Sequence, residues 1–204
     1  HHRLVGSEMC IRDRIYSIAI GEGELLTTPL QMANLAATLA NRGWYRLPHF
    51  VQDVGGKCKP SGLGIRQETG VDPKHFSPVV DAMRDVVERQ SGTGRRARIN
   101  GITVCGKTGS VQDEPRKDHS VFIAFAPMDD PKIAISVYVE NSGFGGEWAA
   151  PIAALLIEQY LTGEVTSVSR LNRILDADLS DPYPEPEEET ADATEGEDPG
   201  DNGP

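Results

Sequence analysis

The amino-acid sequence predicts an α/β protein of the α+β type, in which an antiparallel sheet is covered by helices. Two observations support this fold class. Between Ile102 and Glu140, β-branched and aromatic residues form three successive extended segments, and the last two are joined by a turn too short for a parallel crossover. Helical patterns flank this region, two before it and one after it. A length of 204 residues is enough for one compact domain with a buried core.

The first predicted elements are an extended segment and a helix. The apolar run from Ile15 to Ile20 predicts a short strand or extended segment, and Gly21-Glu22-Gly23 predicts a turn. Thr28-Pro29 is typical of a helix N-terminus and Gly43 of a helix end, so we predict a helix over about 29–42. Its apolar residues cover more than one stripe, which predicts packing on two sides.

The middle of the chain predicts a strand pair, a loop and an amphipathic helix. Trp44 to Val54 is compatible with a strand pair broken at Pro48, and 55–70 is interpreted as a glycine-containing loop. A helix over about 77–90 is predicted by apolar residues at helical spacing opposite a charged face: Val79, Val80, Met83, Val86 and Val87.

A basic cluster follows this helix. Ser91-Gly92-Thr93-Gly94 ends the helical pattern, and Arg95, Arg96 and Arg98 come directly after it. We interpret the cluster chiefly as a solvated loop, and a structural or anion-facing role is the alternative.

The three extended segments predict successive strands. The first starts at Ile102 and leads into Gly106–Ser110, the second is Ser120–Pro127 and the third is Lys132–Glu140. The turn between the second and third strands predicts an antiparallel hairpin. After them, Pro151 is typical of the first turn of a helix that ends near Gly163 and is expected to cover the sheet.

Composition excludes several classes of function. The net charge is −11, but 10 of the 31 acidic residues and no basic ones lie in 181–204. Residues 1–180 therefore carry 21 acidic and 20 basic groups, a balance that indicates no nucleic-acid partner. The tail 181–204 has too few apolar residues to form a core and is predicted to be disordered. The chain shows no signal peptide or transmembrane segment, and it does not begin with Met.

Cysteine and histidine spacing predicts neither a metal site nor a cofactor. Cys10, Cys58 and Cys105 form no Cys-x-x-Cys pair, and the five histidines are scattered. Asp118 and His119 follow the first strand of the sheet, where they either order the loop by a hydrogen bond or border a groove. Loop ordering is the preferred interpretation.

A P-loop pattern occurs in the chain, but its context argues against a nucleotide site. Gly101 to Thr108 matches G-x-x-x-x-G-K-[ST]. A P-loop needs a strand before the first glycine and a helix beginning at the Lys-Thr pair, whereas here the interior residues are Ile, Thr, Val and Cys and Gly109 follows. These letters therefore predict a strand, and nucleotide binding remains a minor alternative.

The same stretch contains Lys107-Thr108-Gly109-Ser110, which resembles the Lys-[Ser/Thr]-Gly-[Ser/Thr] signature of the penicillin-binding and serine β-lactamase superfamily. Further matches run in the same order over about residues 15–163 and resemble class B penicillin-binding proteins of the elongation type, penicillin-binding protein 2. They are Ala19-Ile-Gly-Glu-Gly-Glu, Thr28-Pro-Leu-Gln-Met-Ala, Ala40-Asn-Arg-Gly, Ser91-Gly-Thr-Gly, Asp118-His-Ser, Phe125-Ala-Pro, Pro131-Lys-Ile-Ala and Ala149-Ala-Pro-Ile.

The resemblance implies an activity and roles for this strand. Such enzymes cross-link peptidoglycan: a serine attacks the D-Ala-D-Ala end of a stem peptide, and β-lactams acylate the same serine. Lys107 and Ser110 are then expected to be catalytic, the latter through its backbone N–H in the oxyanion hole. Lys107, Thr108, Gly109 and Ser110 are expected to bind substrate, with the lysine cation and the two hydroxyls facing the terminal carboxylate.

The resemblance also has a gap. The family's nucleophile and base lie in Ser-x-x-Lys and a third group in Ser-x-Asn, and neither pattern occurs in the 204 residues. We therefore expect 15–180 to be the C-terminal part of a transpeptidase domain, between an atypical stretch 1–14 and the tail 181–204. This part alone is expected to form no covalent adduct with penicillin.

The resemblance further implies partners and a location. These are stem peptides, β-lactams, the cell-elongation machinery, and the periplasmic face of the inner membrane, with a membrane anchor upstream. Two alternatives remain: a β-lactamase or β-lactam sensor of the same superfamily, and a non-catalytic cell-wall scaffold.

Overall fold

A computed structural model describes residues 15–19, 21, 25–50 and 64–180. The predictions for the atypical stretch 1–14 and for the acidic tail 181–204 lie outside these residues. Residues 15–19 are helical, so the prediction of an extended segment there is wrong. None of the described strands pairs with this segment, and a helix satisfies its own backbone hydrogen bonds without a partner strand.

The helix that follows, α1, spans Pro29–Ala40, close to the predicted 29–42. The Gln31 N–H donates to Thr28 Oγ1 at 3.3 Å, and the Thr28 N–H donates to Gln31 Oε1 at 2.8 Å, which together form a capping box. The helix packs against the main sheet and a small hairpin. Packing on two sides is only partly confirmed, because Leu30 and Leu35 stay exposed among the described residues.

A small antiparallel hairpin follows α1. Its strands are β1, Trp44–Arg46, and β2, Arg66–Glu68, and Trp44 pairs with Glu68. The predicted second strand after Pro48 lies largely outside the described residues, because 51–63 are not among them. The described partner of β1 is β2, which lies within the predicted 55–70 loop, so that loop contains a strand. Short strands that pair across a long connection leave no local hairpin signal in the sequence.

The amphipathic helix α2 spans Phe76–Glu88 and confirms the prediction of a helix over about 77–90. The main sheet consists of β3, Cys105–Val111, β4, His119–Ala126, and β5, Ile133–Val139. These three strands pair antiparallel in the order β3-β4-β5, as predicted, and β3 lies at an edge of this described sheet. The first strand begins at Cys105 rather than Ile102, because Ile102 bridges to Ile99 across a turn at Gly101, whose φ is +77°.

Two more helices complete the described chain. Helix α3, Ala149–Thr162, begins two residues before Pro151, which its first turn tolerates, and ends at Gly163 with φ +84°. It packs on β4 and β5, so the prediction that it covers the sheet is confirmed. Helix α4, Val168–Leu175, was not predicted from the sequence. No described helix is both long and apolar enough to span a bilayer.

The sheet has a packed core on each face. On one face, small residues of α3 approach β4 closely, and Phe122 and Ile157 are fully buried there. On the other face, Cys105 and Phe125 pack against α2 and α1 through Val80, Met83 and Ala40. This double layer confirms the predicted fold class and holds β3 in place.

The Phe122 ring leaves no space for a side chain at position 106. A Cβ built on Gly106 would overlap that ring, whereas a Cβ on Gly109 would meet only Val121, at 3.4 Å. Position 106 therefore requires glycine for packing, whereas position 109 has room for a Cβ.

Substitution at these two glycines is expected to give unequal losses of stability. Gly106→Ala overpacks the core and should lower the free energy of unfolding by about 1–3 kcal/mol. Gly109→Ala, the matched control, should change it by no more than about 0.5 kcal/mol. Chemical denaturation of both variants measures the difference, and equal losses would contradict the role assigned to the ring.

Candidate functional site

The segment Gly106–Ser110 runs extended along the edge strand β3. Lys107 pairs with Ile123 and Thr108 with Phe122 on β4, and no helix begins at either residue. A P-loop requires a helix start at this point, so the structure contradicts a P-loop here. Of the matched residues 101–108, the strand contains only the last four, Cys105 to Thr108, so the prediction of a strand is confirmed in part.

Alternation along β3 divides the side chains of the signature between two faces. Thr108 and Ser110 lie on the face that carries Phe122, whereas Lys107 and Gly109 lie on the face that carries Cys105. The Lys107 side chain is exposed, and its Nζ donates to the Thr108 carbonyl oxygen at 2.7 Å.

A groove of about 410 Å³ lies beside Thr108 and Ser110. Its other walls are the turn after α2 and the loop that precedes α3, and the lining residues outside β3 are Gly92, Thr93, Arg95, Arg96, Phe144, Gly145, Gly146 and Glu147. Thr93 Oγ1 and Thr108 Oγ1 are 2.8 Å apart and share a hydrogen bond. Hydroxyls from two elements therefore meet at the wall of the groove.

The loop before α3 lies directly on β3. The Gly145 N–H donates to Ser110 Oγ at 3.4 Å. A Cβ on Gly145 would overlap the Gly109 backbone, and one on Gly146 would overlap the Thr93 carbonyl oxygen. Both positions require glycine because the loop packs backbone to backbone against two other walls of the groove.

A buried serine on β4 fixes both ends of this loop. Ser120 is fully buried; its Oγ donates to the Phe144 carbonyl oxygen at 3.0 Å and accepts from the Ala149 N–H at 3.0 Å. Sequence reasoning assigned no role to Ser120. In the sequence, Ser120 stood out only as the last residue of Asp118-His119-Ser120, one of the segments that resemble the family.

The three arginines of the basic cluster have different roles. Arg98 donates through Nε to the Val87 carbonyl oxygen at 2.8 Å, which ties the turn to α2. Arg96 Nη1 lies 3.8 Å from Glu147 Oε1, across the groove. Arg95 lines the groove itself. The interpretation as a solvated loop is therefore incomplete, because Arg98 is structural.

Asp118 and His119 order two loops. His119 Nδ1 accepts from the Asn141 N–H at 3.0 Å, and the Gly143 N–H donates to the Asp118 carbonyl oxygen at 2.7 Å. Neither residue lines the groove beside Ser110. The preferred interpretation, loop ordering, is confirmed.

Cys105 is fully buried, and burial raises the pKa of its thiol to about 11. The other two cysteines, Cys10 and Cys58, lie outside the described residues. Within the described ranges, no group of three or more His, Cys, Asp and Glu side chains is arranged to hold a metal ion.

Comparison with protein families gives a match to the penicillin binding protein transpeptidase domain over residues 7–158. A peptidoglycan D,D-transpeptidase from Haemophilus influenzae, MrdA, is 32% identical over 179 residues. The alignment covers 76% of this chain and 27% of that relative. The chain thus spans about a quarter of the length of this relative.

Solved structures show the same fold. Penicillin-binding protein 2 of Pseudomonas aeruginosa, in complex with WCK 5153, matches with a TM-score of 0.63 and 31% identity, over 74% of this chain and 33% of that one. The ceftriaxone acyl-enzyme of penicillin-binding protein A from Mycobacterium tuberculosis matches with a TM-score of 0.60 and 31% identity. The match covers 72% of this chain and 35% of that one. A complex of penicillin-binding protein 2 with MreC from Helicobacter pylori matches with a TM-score of 0.61 and 26% identity. The match covers 72% of this chain and 27% of that one.

Removal of the Ser120 hydroxyl is expected to loosen the loop before α3. Ser120→Ala leaves the Phe144 carbonyl and the Ala149 N–H without their partner and should lower the free energy of unfolding by about 1–3 kcal/mol. Hydrogen exchange at the Ala149 amide should become faster. Ser136→Ala, on β5, is the control, and unchanged exchange in Ser120→Ala would contradict the role of the hydroxyl.

The Cys105 thiol is expected to be unreactive in the folded chain. With its pKa at about 11, the thiolate fraction at pH 8 is about one in a thousand, and the buried sulfur is shielded from reagents. In a Cys10→Ser, Cys58→Ser background, a disulfide reagent should label Cys105 only after denaturation. Prompt labelling of the native chain at pH 8 would show that the site opens.

Proposed function

The chain belongs to the penicillin-binding protein transpeptidase family, and we propose that it forms part of a peptidoglycan D,D-transpeptidase that works through a serine acyl-enzyme. One observation carries this proposal: Lys107 to Ser110 lie extended on an exposed sheet edge, beside a groove lined by hydroxyls. An extended peptide terminus with an anionic end matches such an edge, because hydroxyls and backbone N–H groups donate to carboxylate and carbonyl oxygens.

The proposed reaction is acyl transfer. A serine oxygen attacks the carbonyl carbon of the penultimate D-Ala of a stem peptide, the terminal D-Ala leaves, and an amine of a neighbouring strand then takes the acyl group. The negative charge that develops on the carbonyl oxygen needs positioned donors, and the Ser110 backbone N–H is proposed as one of them. Neither Ser-x-x-Lys nor Ser-x-Asn occurs in the 204 residues, so the attacking serine is proposed to come from outside this sequence.

The side chains of the signature are proposed to divide the remaining work. The Lys107 ammonium stabilises the serine alkoxide as it forms, because its positive charge is compact and exposed at the strand edge, where Nζ donates to the Thr108 carbonyl oxygen. Thr108 and Ser110 donate hydroxyls to the terminal carboxylate of the donor. Gly109 keeps the edge open, since the space at its Cβ position is bounded only by Val121.

Relatives support the wider parts of the proposal. The acyl-enzyme of the Mycobacterium tuberculosis protein supports acylation by β-lactams, and the Helicobacter pylori complex with MreC supports a partner in the elongation machinery. A location at the periplasmic face of the inner membrane, with an upstream anchor, is proposed on the same family resemblance. The similar proteins named above are transpeptidases or penicillin-binding proteins, which favours this function over a β-lactamase, a sensor or a scaffold.

A chimera tests the proposal. Residues 15–163 replace the aligned segment of the Haemophilus influenzae relative, which supplies the upstream region, and labelled penicillin is added. The chimera should be acylated, and Lys107→Ala should slow acylation by about 100-fold because a positioned charge is removed. Lys132→Ala, a surface lysine paired with Asp130 at 2.7 Å, is the matched control and should be neutral.

The 204-residue chain alone, in the same assay, should form no adduct. Stoichiometric acylation of that chain would overturn the proposal that the nucleophile lies outside it. A folded chimera, verified by cooperative thermal unfolding, that takes up no penicillin would overturn the proposed function itself.

A further inference from the structure

Asn141 ties two loops together beside His119. Its backbone N–H donates to His119 Nδ1 at 3.0 Å. Its side-chain Nδ2 donates to Asp113 Oδ2 at 2.7 Å and to the Lys117 carbonyl oxygen at 3.0 Å. Asn141 lies near the start of the loop that leads to the groove wall at 144–147, whereas its side-chain partners belong to the loop between β3 and β4.

The hydrogen bond from Asn141 fixes the protonation state of the His119 ring. A backbone N–H can only donate, so Nδ1 must carry a lone pair and the proton of the neutral ring lies on Nε2. Nε2 faces Asp113 Oδ2 at 3.7 Å, and in the described part of the chain no other carboxylate lies within 4.0 Å of a ring nitrogen. The contact with Asn141 therefore requires a neutral ring.

A proton on Nδ1 would break this contact. An imidazolium donates from both nitrogens, so its Nδ1–H would oppose the Asn141 N–H, donor against donor. The new positive charge would also draw the ring toward the Asp113 carboxylate. Histidine ordinarily changes charge between pH 5 and 8. The His119 side chain keeps 17% of its surface exposed, so a proton can reach the ring without unfolding of the loop.

The other titratable groups around the ring ordinarily keep their charge in this pH range. The Tyr138 ring of β5 lies 5.2 Å from the His119 ring, and burial, followed by the nearby Glu140 and Asp113 carboxylates, raises the pKa of the Tyr138 phenol, which stays neutral. Carboxylates, lysine and arginine ordinarily change charge outside this range. The charged residues on the β3–β4 loop and directly after β5 are Asp113, Glu114, Arg116, Lys117, Asp118 and Glu140.

Two further contacts connect Asn141 to the groove. The Gly143 N–H donates at 2.7 Å to the carbonyl oxygen of Asp118, the residue before His119. The Gly145 N–H donates to Ser110 Oγ at the groove. Since the buried hydroxyl on β4 still holds the loop between these two contacts, loss of the hydrogen bond at Asn141 should shift the wall without unfolding it.

We propose that neutral His119 is a positioning residue for this groove, and that protonation of its ring releases Asn141 and shifts the loop that forms one wall. The shape of the groove then depends on pH through a residue that does not line it. This inference goes beyond the proposed function, because it does not depend on the reaction that the groove serves.

The test uses the 204-residue chain and NMR between pH 5 and 8. The proton on His119 Cε1 reports the charge of the ring. Hydrogen exchange at the Asn141 amide, corrected for the effect of pH on the intrinsic rate, reports the hydrogen bond. As the ring gains its proton, protection of this amide should fall about tenfold, and the shift of the Gly145 amide should change with the same midpoint.

His119→Asn separates the charge of the ring from its role as an acceptor. The asparagine oxygen lies near the position of Nδ1 but takes no proton, so protection at Asn141 should no longer depend on pH. His75→Asn is the matched control. It removes an exposed imidazole at the N-terminus of α2, and the wild-type profile should persist.

Three results would overturn the inference. The first is unchanged protection at Asn141 while the His119 ring gains its proton, or a ring that stays neutral down to pH 5. The second is a transition at Asn141 that does not reach Gly145, which would remove the link to the groove. The third is a pH-dependent profile that persists in His119→Asn, because the transition would then belong to another group. Penicillin uptake by the chimera is measured separately, so the proposed function stands or falls independently.

Discussion

The contact between the Phe122 ring and two glycines is the constraint on which the groove depends. The ring is fully buried beneath β3, it occupies the space where Gly106 would carry a Cβ, and Gly94 lies against its edge. Two walls of the groove, the edge strand and the turn after α2, therefore take their positions from one aromatic side chain. Because the interior is close-packed, neither wall can shift without opening a void or a clash in the core.

The third wall is held by a different kind of interaction. Gly145 and Gly146 press their backbone against β3 and the turn, and the buried Ser120 hydroxyl fixes the loop at Phe144 and Ala149. Beyond the groove, Arg173 on α4 lies over the Trp148 ring, 4.8 Å from its centroid, and also faces Glu147. Helix α4 thus supports the same loop from outside, which gives a function in positioning to an element with no buried residues of its own.

The sequence predicted those features that leave a local pattern. Pro29 and Gly163 at helix ends, the helical spacing in α2 and the short turn before β5 each act within a few residues. The helical turn at 15–19, the pairing of β1 with β2 and helix α4 were missed, because they depend on partners distant in sequence or on too few residues to show a period.

The site was also predicted only in part. The extended Lys-Thr-Gly-Ser strand was predicted, but the approach of Thr93, Arg95 and Gly145 to it was not. A glycine that is required by a contact across the fold looks, in the sequence, like any loop glycine.

Alternation along β3 and the position of this strand at a sheet edge together determine where the side chains of the signature lie. Successive side chains of β3 leave the backbone toward opposite faces, but the long Lys107 side chain bends back to the strand, where its Nζ donates to the Thr108 carbonyl oxygen at 2.7 Å. The Thr108 and Ser110 side chains lie on the face of Phe122, where they line the groove. The lysine ammonium and the two hydroxyls are therefore available at one edge of the described sheet, and the buried Phe122 ring holds that edge in place.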